Sequence, residues 1–194
     1  MRKIALIATT ILLLGVAGCV SVTSAPAGPM KLGAGQVTLG REWSDISQIM
    51  PARSKKVRLL SIEGPWLNRL YLTEGLVAGD YMIKPVAKER PTPTVRADMS
   101  VSEQVEFAAD SVSAMDYLRV ETAHPRPVKF GAAPGVRFDI TASTKEGLEI
   151  KGVGAVARGG KGELYVILYL APAEYYFDAS LKEVENVIAS AKAG

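Results

Sequence analysis

The residues able to do chemistry in this chain are few. Its 194 residues include one histidine, His124, and one cysteine, Cys19, beside 20 Asp and Glu. Those counts exclude a disulfide framework, a zinc finger and any metal site built from several His or Cys ligands. His124 could act as a general base or a pH-responsive group. It lies in Ala123-His124-Pro125-Arg126-Pro127, which reads as a stiff extended loop between strands. No Gly-x-Ser-x-Gly elbow accompanies it and no second His or Cys completes a nucleophile system, so an exposed loop histidine is expected. Paired carboxylates could hydrolyse glycosides, and Asp98, Glu103, Asp139 and Glu174 are available. That chemistry turns on carboxylate separation, so their presence selects no mechanism.

Two glycine patterns look like phosphate cradles. Gly152-Val153-Gly154-Ala155-Val156-Ala157 has the G-x-G-x-x-A spelling of a dinucleotide loop. That loop needs a strand before it and a helix after it, whereas these residues lie inside a strand that leads to a turn. Glycines there are expected to let a helix pack closely on a sheet. Gly159-Gly160-Lys161-Gly162 has Ala155 where a P-loop needs its first glycine and Gly162 where it needs Ser or Thr, and reads as a hairpin turn. No cofactor and no metal are expected.

Cys19 has a different chemistry available. Arg2 and Lys3 precede a run over residues 4–17 whose only polar members are Thr9 and Thr10, the anatomy of a secretory signal. Such a helix would be about 21 Å long, short of a hydrocarbon core of about 30 Å. Its end, Val16-Ala17-Gly18-Cys19, resembles the lipobox of bacterial lipoproteins, in which the cysteine is acylated on sulfur, palmitate being a typical chain, and becomes the new amino terminus. Residues 1–18 are therefore expected to be a removed signal peptide and Cys19 the lipidated anchor. Two or three acyl chains hold a protein at a membrane where one is marginal. Processing removes Arg2 and Lys3, leaving 21 basic against 20 acidic residues. Val20 follows the cysteine; in lipoproteins generally an Asp there retains the protein at the inner membrane, so Val20 implies the periplasmic face of the outer membrane.

The chain after Cys19 must position whatever else it uses. Residues 19–35, with Pro26, Pro29 and three glycines, read as a flexible tether that could let the body stand off the membrane, and 36–194 as one domain. A two-subdomain alternative breaks at 88–94, where Pro91 and Pro93 interrupt the chain. Ser100 with Glu103 has capping-box spacing, and Val101, Val105, Ala108, Val112 and Met115 follow at helical intervals. Ser180 with Glu183 repeats the signal ahead of Leu181, Val184, Val187, Ile188 and Ala191. Strands are expected over 57–63, 68–73, 81–84, 117–122, 128–130, 136–141, 148–157 and 164–170. The last is apolar on both faces and reads as a central, doubly covered strand. Short turns between strands, with helices before and after, predict an α+β fold with a largely antiparallel sheet flanked by helices.

From about Met99 onward, Gly135-Val136-Arg137-Phe138, the Gly-rich strand over 147–157, the strand after Gly162, Tyr175-Tyr176-Phe177 and the final helix ending at Ser190 resemble the PsbP and Mog1 family of α/β/α sandwiches. The mature sequence also resembles uncharacterised proteobacterial envelope lipoproteins. The family resemblance implies a non-catalytic domain that binds a protein partner in the cell envelope. A net charge of +3 with 22% charged residues builds no field for nucleic acid. Arg53, Lys55, Lys56 and Arg58 form the densest basic cluster, able to meet an acidic partner or anionic lipid, or to be a solvated loop. Trp43, Trp66, Tyr175, Tyr176 and Phe177 are hot-spot residue types that also fill cores. Two other functions remain open at this level. A carrier or sensor of a small apolar ligand would show a sizeable apolar cavity with convergent polar groups. An envelope hydrolase would gather His124 or two carboxylates in a cleft.

Overall fold

A computed structural model describes residues 22–50, 52–85 and 92–194; the signal segment and Cys19 lie outside the described residues. Ten strands and two helices form in the order β1 (Thr23–Ala25), β2 (Gly28–Leu32), β3 (Gly35–Leu39), β4 (Trp43–Asp45), β5 (Val57–Ser61), β6 (Arg69–Thr73), α1 (Val101–Ala114), β7 (Leu118–Phe130), β8 (Ala133–Ser143), β9 (Glu149–Arg158), β10 (Leu164–Pro172) and α2 (Tyr176–Ser190). Eight strands make one antiparallel sheet in the order β1-β4-β5-β6-β10-β9-β8-β7, and β2 with β3 forms a separate hairpin. Because β6 pairs with β10, the two halves of the chain share a sheet across the proline-rich stretch.

The residue alternation of β10 explains the layering. Tyr165, Ile167, Tyr169 and Ala171 point into one core with α2 and the hairpin, while Leu164, Val166, Leu168 and Leu170 point into a second core with α1. All nine β10 residues are buried, as a strand covered on both faces must be. The expected antiparallel sheet flanked by helices is what forms.

Some elements differ from expectation for identifiable reasons. The folded body begins earlier than the composition implies: β1 pairs with β4, and Ala25 and Leu32 are buried. The small residues between 22 and 35 are therefore occupied by a strand and a hairpin that cover sheet and helix. Residues 81–84 form no strand; only an isolated bridge joins Arg53 to Ile83. β7 runs without a break through His124, Pro125 and Pro127, so the expected loop is part of an edge strand. In α1, Gln104, Phe107 and Ser111 join Ala108 and Val112 in the buried face, leaving Val101 51% exposed. The polar pair is tolerated because Gln104 Nε2 donates to Met99 O (3.1 Å) and Ser111 Oγ to Phe107 O (2.7 Å). α2 begins at Tyr176, ahead of Ser180, which is buried within the helix. Phe177 stacks on Tyr169 with ring centroids 5.9 Å apart, and the Tyr169 hydroxyl donates to Tyr176 O at 2.9 Å. These contacts draw the first turn onto the sheet before the capping pair is reached.

The Ser100 capping box is present in both directions: Ser100 Oγ accepts from the Glu103 N–H, and Glu103 returns the bond to the Ser100 N–H at 2.8 Å. Ser100→Ala is expected to destabilise the fold by about 1 kcal/mol, read as a lower urea midpoint at constant m. An unchanged midpoint would show that the box contributes nothing.

Candidate functional site

Among the described residues, the largest exposed apolar side chains lie at one end of the sheet. This end gathers residues 62–68 between β5 and β6, 115–117 before β7, 144–148 between β8 and β9, and 173–175 before α2; Leu118 pairs with Ser143, Ser143 with Glu149, and Ile150 with Pro172. Trp66 is 78% and Tyr175 75% exposed, and Leu118 and Leu148 are also exposed. Among the described residues, the remaining exposed large apolar side chains, Val22, Ile49, Val77 and Val101, lie outside these loops.

Trp66 is held, not floppy. Its loop is braced by buried Asn68, whose Oδ1 accepts from Ser61 Oγ (2.8 Å) and the Ile62 N–H (2.9 Å). The Arg69 guanidinium sits 5.1 Å from the Trp66 ring centroid and is itself fixed by bonds to Pro65 O (2.6 Å) and the Tyr117 hydroxyl (3.2 Å). A groove of about 510 Å³ runs from Trp66 and Arg69 past Tyr117 to Leu148, with Lys145 and Glu146 on its rim. Burial pushes the Tyr117 hydroxyl up, with Arg69 pulling the other way, so this phenol stays protonated. Tyr175 adopts a left-handed backbone (φ 63°) at the start of α2 and packs edge-on to Tyr176, centroids 5.3 Å apart. Tyr176 is half-buried, and Phe177 and Trp43 are core residues.

A second cluster lies where α2 crosses β7, β8 and β9. The Arg137 side chain is buried and donates from Nε (3.1 Å) and Nη2 (2.6 Å) to Glu185 Oε1 and from Nη1 to Asp139. His124 Nδ1 lies 2.9 Å from Asp139 Oδ2, and Arg126 Nη2 3.9 Å from Asp139 Oδ1. Burial raises the Asp139 carboxyl, but hydrogen bonds from Arg137 and His124 and the charges of Arg137 and Arg126 outweigh it and hold the group below the usual carboxylate range. A carboxylate so held is a poor proton donor. His124 itself sits in a β-bulge between Ala123 and Arg126 at φ 50°. His124, Arg126, Arg137 and Asp139 border a cavity of about 400 Å³ walled by Phe177 and Leu181.

The other sequence candidates are dispersed. Arg53 is bound to its own loop, donating to Ser47 O (2.7 Å), Ser54 O and Val57 O (both 2.9 Å). Lys56 pairs with Asp80 at 2.6 Å, and Arg58 with Asp45 and Glu74 at 3.3 Å each. Exposed Lys55 and the loop-bound Arg53 have no ion pair among the described residues, so two of the cluster's four charges are matched by acids. Glu103 serves the helix cap and Arg96, and Asp98 and Glu174 are exposed at loops. Gly152 and Gly154 lie within β9, where the space beside them is filled by Leu170 and by the Phe138 ring, not by a helix. The 159–162 segment is the β9–β10 turn, with the Gly160 N–H donating to Gly194 O at 2.7 Å. Glu185 and Arg69 escaped the sequence reading because both owe their roles to partners some fifty residues distant.

No family model matches the sequence, and no curated protein matches it. Solved structures do. The Ran-binding protein Mog1p of Saccharomyces cerevisiae superposes with a TM-score of 0.53 at 11% identity, covering 89% of this chain and 96% of that one. Cyanobacterial PsbP from Synechocystis sp. PCC 6803 gives 0.51 at 11% identity, covering 93% and 96%. A Mog1 point mutant gives 0.53 at 10% identity, covering 87% and 96%. The fold is that of the Mog1 and PsbP proteins.

Proposed function

We propose that this chain is a lipid-anchored cell-envelope domain, held at the periplasmic face of the outer membrane, that binds a protein partner without catalysing a reaction. The observation that carries the partner-binding reading is the loop end with Trp66, Leu118, Leu148 and Tyr175 exposed together. Aromatic anchors pre-positioned on rigid loops bind with little ordering cost, and Trp and Tyr dominate interface hot spots. A protein of the same fold, yeast Mog1p, is described as Ran-binding, which supports binding as a use for this scaffold.

The anchor reading rests on Val16-Ala17-Gly18-Cys19. Its consequence is a short leash. β1 begins at Thr23, so the link from Cys19 reaches about 14 Å when extended, and the body stays close to the bilayer.

A photo-crosslinking residue placed at Trp66, at Tyr175 or at Val77 in intact native cells tests this. One discrete adduct is expected from positions 66 and 175 and none from 77; the reverse, or none anywhere, overturns it. With the captured partner purified, Trp66→Ala is expected to weaken binding roughly thirtyfold, the loss of about 2 kcal/mol that marks a hot spot. Cys19→Ala is expected to leave the membrane fraction, and its retention there would sink the anchor.

A further inference from the structure

The cavity between α2 and the β7 edge is built for something the loop end does not need. The geometry points to a binding site for a small anionic amphiphile, an acidic headgroup on a short apolar body, on residues separate from the partner-binding end. Three independent observations converge on it.

The first is shape and lining. A volume of about 400 Å³ falls within the range of small-molecule pockets. Phe177 and Leu181 supply an apolar wall. Phe177 is immobilised by its stack on Tyr169, so the wall is in place before a ligand arrives.

The second is charge. Arg126, Arg137 and Lys151 border the cavity against a single lining carboxylate, Asp139. Glu185 reaches Arg137 from the helix and lowers the excess without cancelling it. Lys151 has no ion pair among the described residues and projects from the strand paired with Thr141. Arg126 is 3.9 Å from Asp139, a loose contact from an exposed side chain that can turn to a ligand. Arg137, by contrast, is locked by two acids. It is spent on those acids, and Arg126 and Lys151 are the groups free to take a headgroup.

The third is backbone. His124 holds a left-handed conformation with a proline at its carboxyl side, inside a bulge that realigns β7 against β8. A non-glycine residue in that region is strained and persists only where its surroundings enforce it. Bulges re-aim side chains; this one brings His124 Nδ1 to Asp139 and Arg126 to the cavity mouth. With Asp139 bonded by Arg137 and His124, both of its oxygens are engaged within the protein. A headgroup is thus offered two cations and the Thr141 hydroxyl beside an apolar slot.

The test uses residues 19–194 with Cys19→Ala, so that no acyl chain competes, and four probes of matched chain: octanoate, octyl phosphate, octanol and octylamine, with inorganic phosphate as a fifth. Amide chemical-shift titration reports where each probe binds. Octanoate or octyl phosphate is expected to saturate with shifts centred on residues 123–126, 151 and 181, and whichever binds more tightly identifies the headgroup as carboxylate or phosphate. Arg126→Gln and Lys151→Gln are each expected to weaken that binding on the order of tenfold; both side chains are partly exposed, so the variants fold. Leu181→Asn is expected to abolish octanoate binding while leaving the spectrum otherwise native. Equal binding of octanol or octylamine, saturation by inorganic phosphate alone, or no saturable shift at these residues would each overturn the proposal. None of these outcomes touches Trp66 or its crosslinks.

Discussion

Phe138→Ala is expected to lower the free energy of unfolding by about 3–5 kcal/mol, the range for truncating a buried aromatic that leaves a cavity. Phe138 is 1% exposed and stands directly across from Gly154 in the β8–β9 register. A Cβ on Gly154 would come within 2.4 Å of its Cζ and 3.0 Å of Leu168 Cδ2. The ring therefore lies flat over the strand in space that only glycine leaves empty. Its far edge meets the α1 core and floors the groove beside Val105. Gly154→Ala alone is expected to cost about 1–3 kcal/mol through overpacking, since a core ring has no free direction in which to retreat. In the double variant the alanine methyl occupies part of the vacated volume, so the combined cost falls short of the two added together by about 1 kcal/mol or more. Urea unfolding of the three variants at unchanged m measures all of this. Strict additivity would show that ring and glycine do not share the space.

That pair also shows where sequence was informative and where it was not. Alternating strands declare their faces locally: β10 is apolar at every position, and its doubly buried place in the sheet follows directly. The capping box of α1 is equally local, since Ser100 and Glu103 satisfy each other within one turn. By contrast, Gly152 and Gly154 make sense only once β8 is laid beside β9 and Phe138 is seen to need the room. The start of α2 was hidden for the same reason, because Phe177 and Tyr176 are drawn in by Tyr169 on β10 and a capping pair four residues later is overruled. Composition misplaced the first strands, whose small residues suit a tether as well as a short edge strand and a hairpin against α2. The exposed aromatics were recognised by type, but Trp43 and Phe177 differ from Trp66 and Tyr175 in burial, which tertiary packing alone decides. His124 stands out by type, but its partner Asp139, and through Asp139 the chain to Arg137 and Glu185, comes together only through strand pairing and a helix crossing.

The charge cluster yields an asymmetric prediction. Removing both acids, by Asp139→Asn with Glu185→Gln, is expected to cost about 3 kcal/mol, whereas Arg137→Met is expected to cost about 1 kcal/mol or less. The difference lies in what is left behind. The Arg137 side chain is 6% exposed, so without its acids a buried cation remains uncompensated. Asp139 and Glu185 are 35% and 40% exposed, so without the arginine they are rehydrated in place. Acidification should imitate part of the first change. Asp139 titrates below its ordinary value in the folded chain despite its burial, because Arg137 and His124 hydrogen-bond its charged form. A lowered folded pKa means that the native state binds the proton less readily than the unfolded chain, so this contribution is complete above the unfolded value, about 3.9, and is lost as pH falls through the folded one. The urea midpoint of the parent is therefore expected to fall more steeply below about pH 4 than that of Asp139→Asn, the two curves converging at the acid end. Parallel curves would mean that Arg137 gains nothing from the Asp139 charge and that Glu185 alone holds it, in which case Glu185→Gln alone would cost as much as the double variant.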